Sequence, residues 1–289
     1  MDSGVVAAPG AFNALVARAV AQAGFDAAYV SGGATSVAAG VPDVGLLTLE
    51  HFCRVIREVA DGSGLPVLAD ADTGFGEAEM TRRTVIEYSR AGAAGLHLED
   101  QVFPKRCGHL DGKTLVPSEH MCEKVEWASK ASKDCSGGAF VICARTDARG
   151  VDGMDAAVER AKAYVEAGAD MIFPEGLKTE AEFGKFAAAL RSDGATKRRS
   201  DGGRVYLLAN MTEFGKTPLI PLSRYGEMGY DIVIYPVSML RVAMGAVTRA
   251  LATLKREGTV ESLLGEMQTR EELYGLVGYT PGEAWETPV

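Results

Sequence analysis

The densest chemistry in this 289-residue chain lies in the run Lys105-Arg106-Cys107-Gly108-His109. A thiol flanked by Lys, Arg and His sits in a positive field, which lowers its pKa and enriches the thiolate. Cys107 can then exchange a proton near neutral pH, as acid–base catalysis requires, with Lys105, Arg106 and His109 as its charged company. Gly108, with Pro104 just upstream, marks a loop able to fold over a bound ligand. A basic surface turn with an incidental cysteine is the plainer reading, and three cation-capable neighbours weigh against it.

Other polar groups fall at the ends of apolar runs. Asp70-Ala71-Asp72 ends one of them, and in an extended segment both carboxylates point to the same side. With Glu99 they form a hard, oxygen-rich set of the kind Mg²⁺ or Mn²⁺ prefers, keeping several waters and one or two direct carboxylates. The structural alternative makes Asp72 a cap for the next helix. Arg145 fits a bidentate carboxylate clamp, or else a buried ion pair with Asp147 or Glu175. Ser31-Gly32-Gly33 offers small side chains and free backbone N–H groups, a nest for a carboxylate. Glu175, Asn210, Thr212 and Arg241 extend the set of groups suited to a cation or an anionic substrate. Acids converging from several strands are costly unless a cation neutralises them. His97, inside an apolar run, reads as a core or supporting histidine rather than a catalyst.

Such convergence needs a scaffold. Four segments share a helix end carrying Gly followed by an apolar run, at 21–33, 89–100, 165–176 and 227–238. Glycine just past a helix supplies the left-handed cap, and the run after it is a fully buried strand. Further runs at 5–8, 66–72, 140–147 and 205–211 bring the strand candidates to eight. Amphipathic, Ala-rich helical segments separate them, so the α/β alternation predicts a (β/α)₈ TIM barrel. An open doubly wound sheet shares the alternation, but the Gly-x-Gly-x-x-Gly expected after its first strand is missing. Barrel enzymes place chemistry at the C-terminal strand ends, where the groups above fall. Helical stretches at 240–256 and 260–277 exceed what a barrel needs. Residues 1–289 are therefore expected as one barrel domain, with 240–289 a C-terminal helical extension that packs partly on a partner subunit. The basic, Gly-rich stretch 191–204 predicts a solvated loop on the N-terminal face.

Bulk properties narrow the partners. Hydrophobic content of 47% with 24% charged residues is ordinary for a globular protein, and a formal charge of −9 argues against nucleic acid. The five cysteines are scattered without Cys-x-x-Cys spacing, so a reduced, intracellular chain is expected. No apolar run approaches the roughly 20 residues of a membrane helix. Apolar residues begin at 5–8, so no signal or Arg-rich transit segment is expected. The expected location is the cytoplasm, or the mitochondrial matrix for a eukaryotic chain whose presequence has been removed.

The segments YVSGG, GVPDVG, ADADTGFG, HLEDQVFPKRCGH, ARTDA, FPE, NMTEFG, YPVSMLR and MQTREELY span almost the whole chain. In order and spacing they resemble the isocitrate lyase/phosphoenolpyruvate mutase superfamily, and KRCGH resembles its methylisocitrate lyase branch. The resemblance implies a barrel whose eighth helix is exchanged between subunits, in a homotetramer built as a dimer of helix-swapped dimers. It implies that Ser31, Gly32 and Gly33 hold substrate carboxylate, that Asp70 and Asp72 hold Mg²⁺ with Glu99 in support, and that Cys107 is the acid–base. Gly108 and His109 would line the lid, and Tyr29 falls where a tyrosine acts near the hydroxyl being deprotonated. Arg145, Glu175, Asn210, Thr212, Arg241 and Arg270 would contact substrate or order the closed state. The implied reaction is retro-aldol cleavage of a small 2-hydroxy acid, giving pyruvate and succinate from 2-methylisocitrate. Phe173, Ile234 and Pro236 match the methylisocitrate pattern, since isocitrate lyases carry a larger aromatic at the first position. The stretch 191–204 is an insertion relative to the family.

Three other readings compete. 2,3-Dimethylmalate lyase and oxaloacetate hydrolase share the lid motif. A non-catalytic barrel serving binding or assembly would have lost some strand-end acids or the lid cysteine. A Schiff-base aldolase would need a lysine at a strand end, and the candidate strands contain none.

Overall fold

The computed structural model describes residues 4–108, 110, 112–192 and 204–285. The strands are β1 Val6–Pro9, β2 Ala28–Val30, β3 Val67–Asp70, β4 Ala93–Glu99, β5 Val141–Thr146, β6 Met171–Pro174, β7 Tyr206–Asn210 and β8 Ile232–Tyr235. They are parallel and ordered β1-β8-β7-β6-β5-β4-β3-β2. The two end strands meet at a bridge between Gly10 and Tyr29, and Ala11 N donates to Tyr29 O at 2.8 Å. The result is a nearly closed (β/α)₈ barrel, as the eightfold alternation predicts.

The repeated helix-to-strand junction explains how the chain turns inward. Gly24, Gly92, Gly168 and Gly229 take φ of 81°, 98°, 107° and 90°, a conformation in which a side chain is strained. Strand alternation then divides the apolar residues. Tyr29, Leu68, Cys143, Phe173, Leu208 and Ile234 pack together inside the barrel, while Val30, Val67, Ile142 and Ile172 face the surrounding helices. The helix Leu49–Ser63 meets them with Phe52, Val55, Ile56 and Val59, all buried on one helical stripe.

Sequence periodicity placed the C-terminal extension but not its breaks. One helix runs Ser238–Glu257, and the stretch expected at 260–277 divides into a 3₁₀ turn, Glu261–Glu266, and a helix, Arg270–Leu276. Thr269 causes the restart. Its hydroxyl takes Glu272 N at 3.2 Å while the Glu272 carboxylate takes Thr269 N at 2.6 Å, a reciprocal cap that fixes a helix N-terminus. Residues 193–203, most of the expected basic loop, lie outside the described residues. The flanks of that stretch sit near the N-terminal end of β8, where buried Asp231 receives Arg191 at 3.3 Å and also pairs with Arg204. Among the described residues no helix is long and apolar enough to cross a membrane.

Candidate active site

At the C-terminal mouth of the barrel lies a cavity of about 250 Å³. Tyr29, Ser31, Gly33, Asp70, Lys105, Cys107, Gly108, Arg145, Phe173, Glu175, Asn210, Thr212, Ile234, Pro236 and Arg241 line it. Most of the residues singled out from the sequence are thus brought together. Asp72 and Glu99 are buried beside this lining, Gly32 touches it through Asp70, and Arg106 is exposed. Arg270 is exposed on the C-terminal extension and does not line the cavity, because its helix follows the long segment that leads away from β8. His109 lies outside the described residues.

The acidic side is built differently from expectation. β3 stops at Asp70, and Asp72 takes φ of 46°, so the pair is not two residues of one extended strand. The carboxylates converge all the same. A Cβ on Gly32 would stand 2.6 Å from Asp70 Oδ2 and 3.2 Å from Asp72 Oδ1, so both oxygens point into the space this glycine leaves. Nor does Asp72 cap a helix: the next one, Ala78–Arg90, starts at Glu77. Gly32 N donates to Asp70 Oδ2 at 3.0 Å, which removes one N–H from the expected carboxylate nest. Ser31 instead caps the helix Gly32–Ala38, its hydroxyl taking Ala34 N at 3.2 Å.

Lys105 is the largest departure. Its ammonium is almost fully buried, paired with Asp72 at 2.8 Å and with Asp43, rather than simply flanking the thiol in sequence. Burial alone would lower its pKa, but Glu99, Asp72, Asp70 and Asp43 outweigh burial and hold it well above the ordinary lysine value. An ammonium held charged by its carboxylate partners is poorly suited to Schiff-base attack. Burial pushes Asp72 up to about 6, with Asp70 adding to the rise. Burial also raises Asp70, yet His97, Lys105 and Arg145 together hold it below the usual carboxylate range. Glu99 is driven well above its ordinary value by burial despite Arg145. Neither Glu99 oxygen accepts a hydrogen bond among the described residues, although Arg145 Nη1 lies 3.2 Å from Oε2.

These observations fit a hard divalent cation. Carboxylates that converge on a glycine gap, a buried Glu99 whose oxygens accept no hydrogen bond among the described residues and a neighbouring ammonium balancing them are what such an ion would find. Among the described residues no three Asp, Glu, His or Cys side chains form a ready-made ligand cluster. An ion here would keep waters and take one or two carboxylates directly.

The opposite wall carries Arg145 and Glu175. Arg145 Nε donates to Asp147 at 2.9 Å, and its Nη1 also faces Glu99 at 3.2 Å and Glu175 at 3.7 Å. Of the two alternatives posed, the buried ion pair is built, and it fixes a guanidinium that still lines the cavity. Burial alone would raise Asp147, but Arg145 and Lys113 hold it down at about 2. Asn210 Nδ2 donates to Glu175 Oε2 at 3.1 Å. Phe173 lies beneath, its ring 5.2 Å from the Arg145 guanidinium and edge-on to His97 at 5.3 Å. His97 is a supporting group, as expected: Nε2 is 2.6 Å from the Tyr29 hydroxyl and Nδ1 is 3.7 Å from Asp70. Burial lowers His97 to about 4 and raises the Tyr29 phenol well above 10.0, so both are neutral at pH 7.

Cys107 rides on a loop whose neck is closed by a Gln101–Leu115 bridge and by Val102 N to Thr114 O at 2.8 Å. Sequence reasoning missed several members of this site: Asp43, Gln101, Lys113 and Glu213, which holds Arg241 at 3.3 Å. Asp43, Gln101 and Glu213 lie inside the quoted GVPDVG, HLEDQVFPKRCGH and NMTEFG, the signal that was available. Lys113 carried no such signal, since its partner Asp147 stands 34 positions away in the chain.

A (β/α)₈ barrel with an acidic, cation-suited rim, an arginine clamp and a thiol-bearing loop across its mouth defines a class of enzymes acting on small carboxylic acids. The chain belongs to the phosphoenolpyruvate phosphomutase family, whose sequence profile matches residues 2–255. It is 51% identical over 271 residues to a probable 2-methylisocitrate lyase of Corynebacterium glutamicum, covering 94% of this chain and 84% of that one. The crystal structure of 2,3-dimethylmalate lyase superposes with a TM-score of 0.85 at 36% identity, over 95% of this chain and 87% of the other. A phosphonopyruvate hydrolase crystallised with oxalate and Mg²⁺ gives a TM-score of 0.81 at 31% identity, covering 96% and 92%.

Proposed function

We propose that this chain is a divalent-cation-dependent carbon–carbon lyase that cleaves 2-methylisocitrate to pyruvate and succinate. The observation that carries the reading is the convergence of Cys107, Arg145 and Asp70 on one small cavity. Asp70 and Asp72, with Glu99 in support, would hold Mg²⁺ or Mn²⁺, which supplies polarisation of the substrate's 2-hydroxyl and adjacent carboxylate. The chain's own residues do the rest. Arg145 and Arg241, with Ser31, Gly33, Asn210 and Thr212, orient carboxylates and stabilise the negative charge that develops as the carbon–carbon bond breaks. Tyr29, held by His97, faces the hydroxyl end. The hydroxyl proton leaves to solvent, and Cys107 delivers its own proton to the carbon released, completing the saturated dicarboxylate before the thiolate is reprotonated from solvent. Phe173, Ile234 and Pro236 line a floor that leaves room for the methyl group.

The same reading extends to assembly and location. Val242 and Leu251 on the helix Ser238–Glu257 are 70% and 62% exposed, and Val247 and Leu254 are exposed beside them. An apolar face of this size supports exchange of the helix between two copies, within a tetramer of such dimers. That assembly is the proposed route by which Arg270 meets a substrate. Five free cysteines support a reducing, cytoplasmic compartment.

A turnover panel tests the activity. With Mg²⁺, 2-methylisocitrate should release pyruvate and succinate, chelator should abolish the reaction, and added Mg²⁺ should restore it. No product from 2-methylisocitrate overturns the reading. Product from 2,3-dimethylmalate or oxaloacetate alone moves the chain to a sibling activity with the same site.

A further inference from the structure

Cys107 is held from both flanks by side chains that do not line the cavity. On one side the Gln101 amide makes two hydrogen bonds to the Arg106 backbone, Nε2 to the carbonyl and Oε1 from the N–H, each 2.9 Å. On the other, Lys113 Nζ donates to the Gly108 carbonyl at 2.5 Å and to Asp147 Oδ1 at 2.7 Å. The Lys113 side chain is 4% exposed, an ammonium nearly out of water, and such a charge is kept only where its partners are fixed. Its partner Asp147 is fully buried and grips Arg145, the residue proposed above to clamp a carboxylate in the cavity. A continuous polar chain therefore runs from the clamp through Asp147 and Lys113 to the peptide that follows the thiol.

We propose that Lys113 is a positioning residue for Cys107, seconded by Gln101, and that it ties closure of the thiol loop to the seated arginine clamp. The idea rests on the reading of Cys107 as the proton donor. Lys113 does not line the cavity. It holds the Gly108 carbonyl down against the end of β5, and Gly108 carries Cys107 with it. An ion pair with Asp147 alone would leave the loop untouched, whereas the bond to the Gly108 carbonyl links the two. Charged hydrogen bonds of this kind are each worth about tenfold or more in an equilibrium, so the loop should spend markedly more time open without them.

The test uses Lys113→Met, Lys113→Arg and Gln101→Leu in the full chain. Iodoacetamide labelling of Cys107 is followed by peptide mass spectrometry, which separates it from the four other free cysteines. The plateau rate at high pH, where the thiol is fully ionised, reads exposure alone. Lys113→Met should raise that rate about tenfold and lower kcat about tenfold or more, with KM changed less than about threefold. Lys113→Arg, which keeps the charge and two donors, should return both readings to within about threefold of the parent. Unchanged labelling and kcat in Lys113→Met overturn the proposal, as does a rise in KM with kcat held, which would make Lys113 a binding group. Should Lys113→Met fail to fold, Gln101→Leu decides: faster labelling with lower kcat supports the two-flank clamp, and parent-like values overturn it. Labelling needs no substrate, so it still decides if every acid in the turnover panel fails.

Discussion

Replacing Gly108 with alanine tests the closed loop at its tightest point. Gly108 has no positive φ, so its backbone would tolerate a side chain, and any effect must come from space. There is none. A Cβ at this position would stand 2.5 Å from Glu175 Cγ and 2.7 Å from its Cδ, and closer still to Arg145 Nη2. Neither neighbour can step aside cheaply. Arg145 is held by Asp147 at 2.9 Å and faces Glu99 at 3.2 Å, while Glu175 accepts from Gly176 N at 2.7 Å and from Asn210 at 3.1 Å. The loop must lift instead, taking Cys107 away from the cavity. Overpacking of this kind costs about 1–3 kcal/mol, or roughly 5- to 150-fold in the closed population. Gly108→Ala should therefore lose kcat/KM by that factor while its melting temperature stays near that of the parent, since an open loop relieves the clash without disturbing the barrel. Steady-state turnover and thermal melts measure both. A kcat/KM within twofold of the parent would refute the packing argument and the closed geometry behind it.

Two further outcomes follow from the same site. Cys107→Ser should lose about 10²- to 10⁴-fold in kcat while substrate affinity, measured calorimetrically, changes little, because the hydroxyl keeps the shape but is a far weaker acid. Asp147, held at about 2 by Arg145 and Lys113 against the burial that would raise it, binds its proton less readily folded than unfolded. Its stabilisation is therefore complete above the ordinary carboxylate range near pH 4 and lost as pH falls toward about 2. Urea titrations should show Asp147→Asn less stable than the parent by about 2 kcal/mol or more at pH 7, and the gap should shrink toward pH 2. A gap that is constant with pH would contradict the assignment.

The barrel was legible in the sequence because its signals are local. Gly24, Gly92, Gly168 and Gly229 each end a helix and start a buried strand within a few residues, and eight such alternations leave few topologies. Strand ends were legible for the same reason, so Asp70, Arg145, Glu175 and Asn210 could be placed at one mouth before any fold was known. The resemblance to a known superfamily added their roles. Side-chain partnership could not be read. Lys105 stands two residues from Cys107 in the chain, yet its ammonium lies among Asp43, Asp72 and their neighbours, because a buried charge goes where opposite charge is densest rather than where sequence leaves it.

Sequence by itself determined which residue types stand at the strand ends, since periodicity and helix caps act over one or two turns of chain. Tertiary structure alone decided that Asp70 and Asp72 meet over the missing side chain of Gly32. It alone decided that Arg145 is both pinned and available, and that Lys113 reaches Asp147 across 34 positions of chain. Those arrangements depend on hydrogen bonds and ion pairs effective only within a few ångströms, and barrel closure is what sets such distances between residues far apart in sequence.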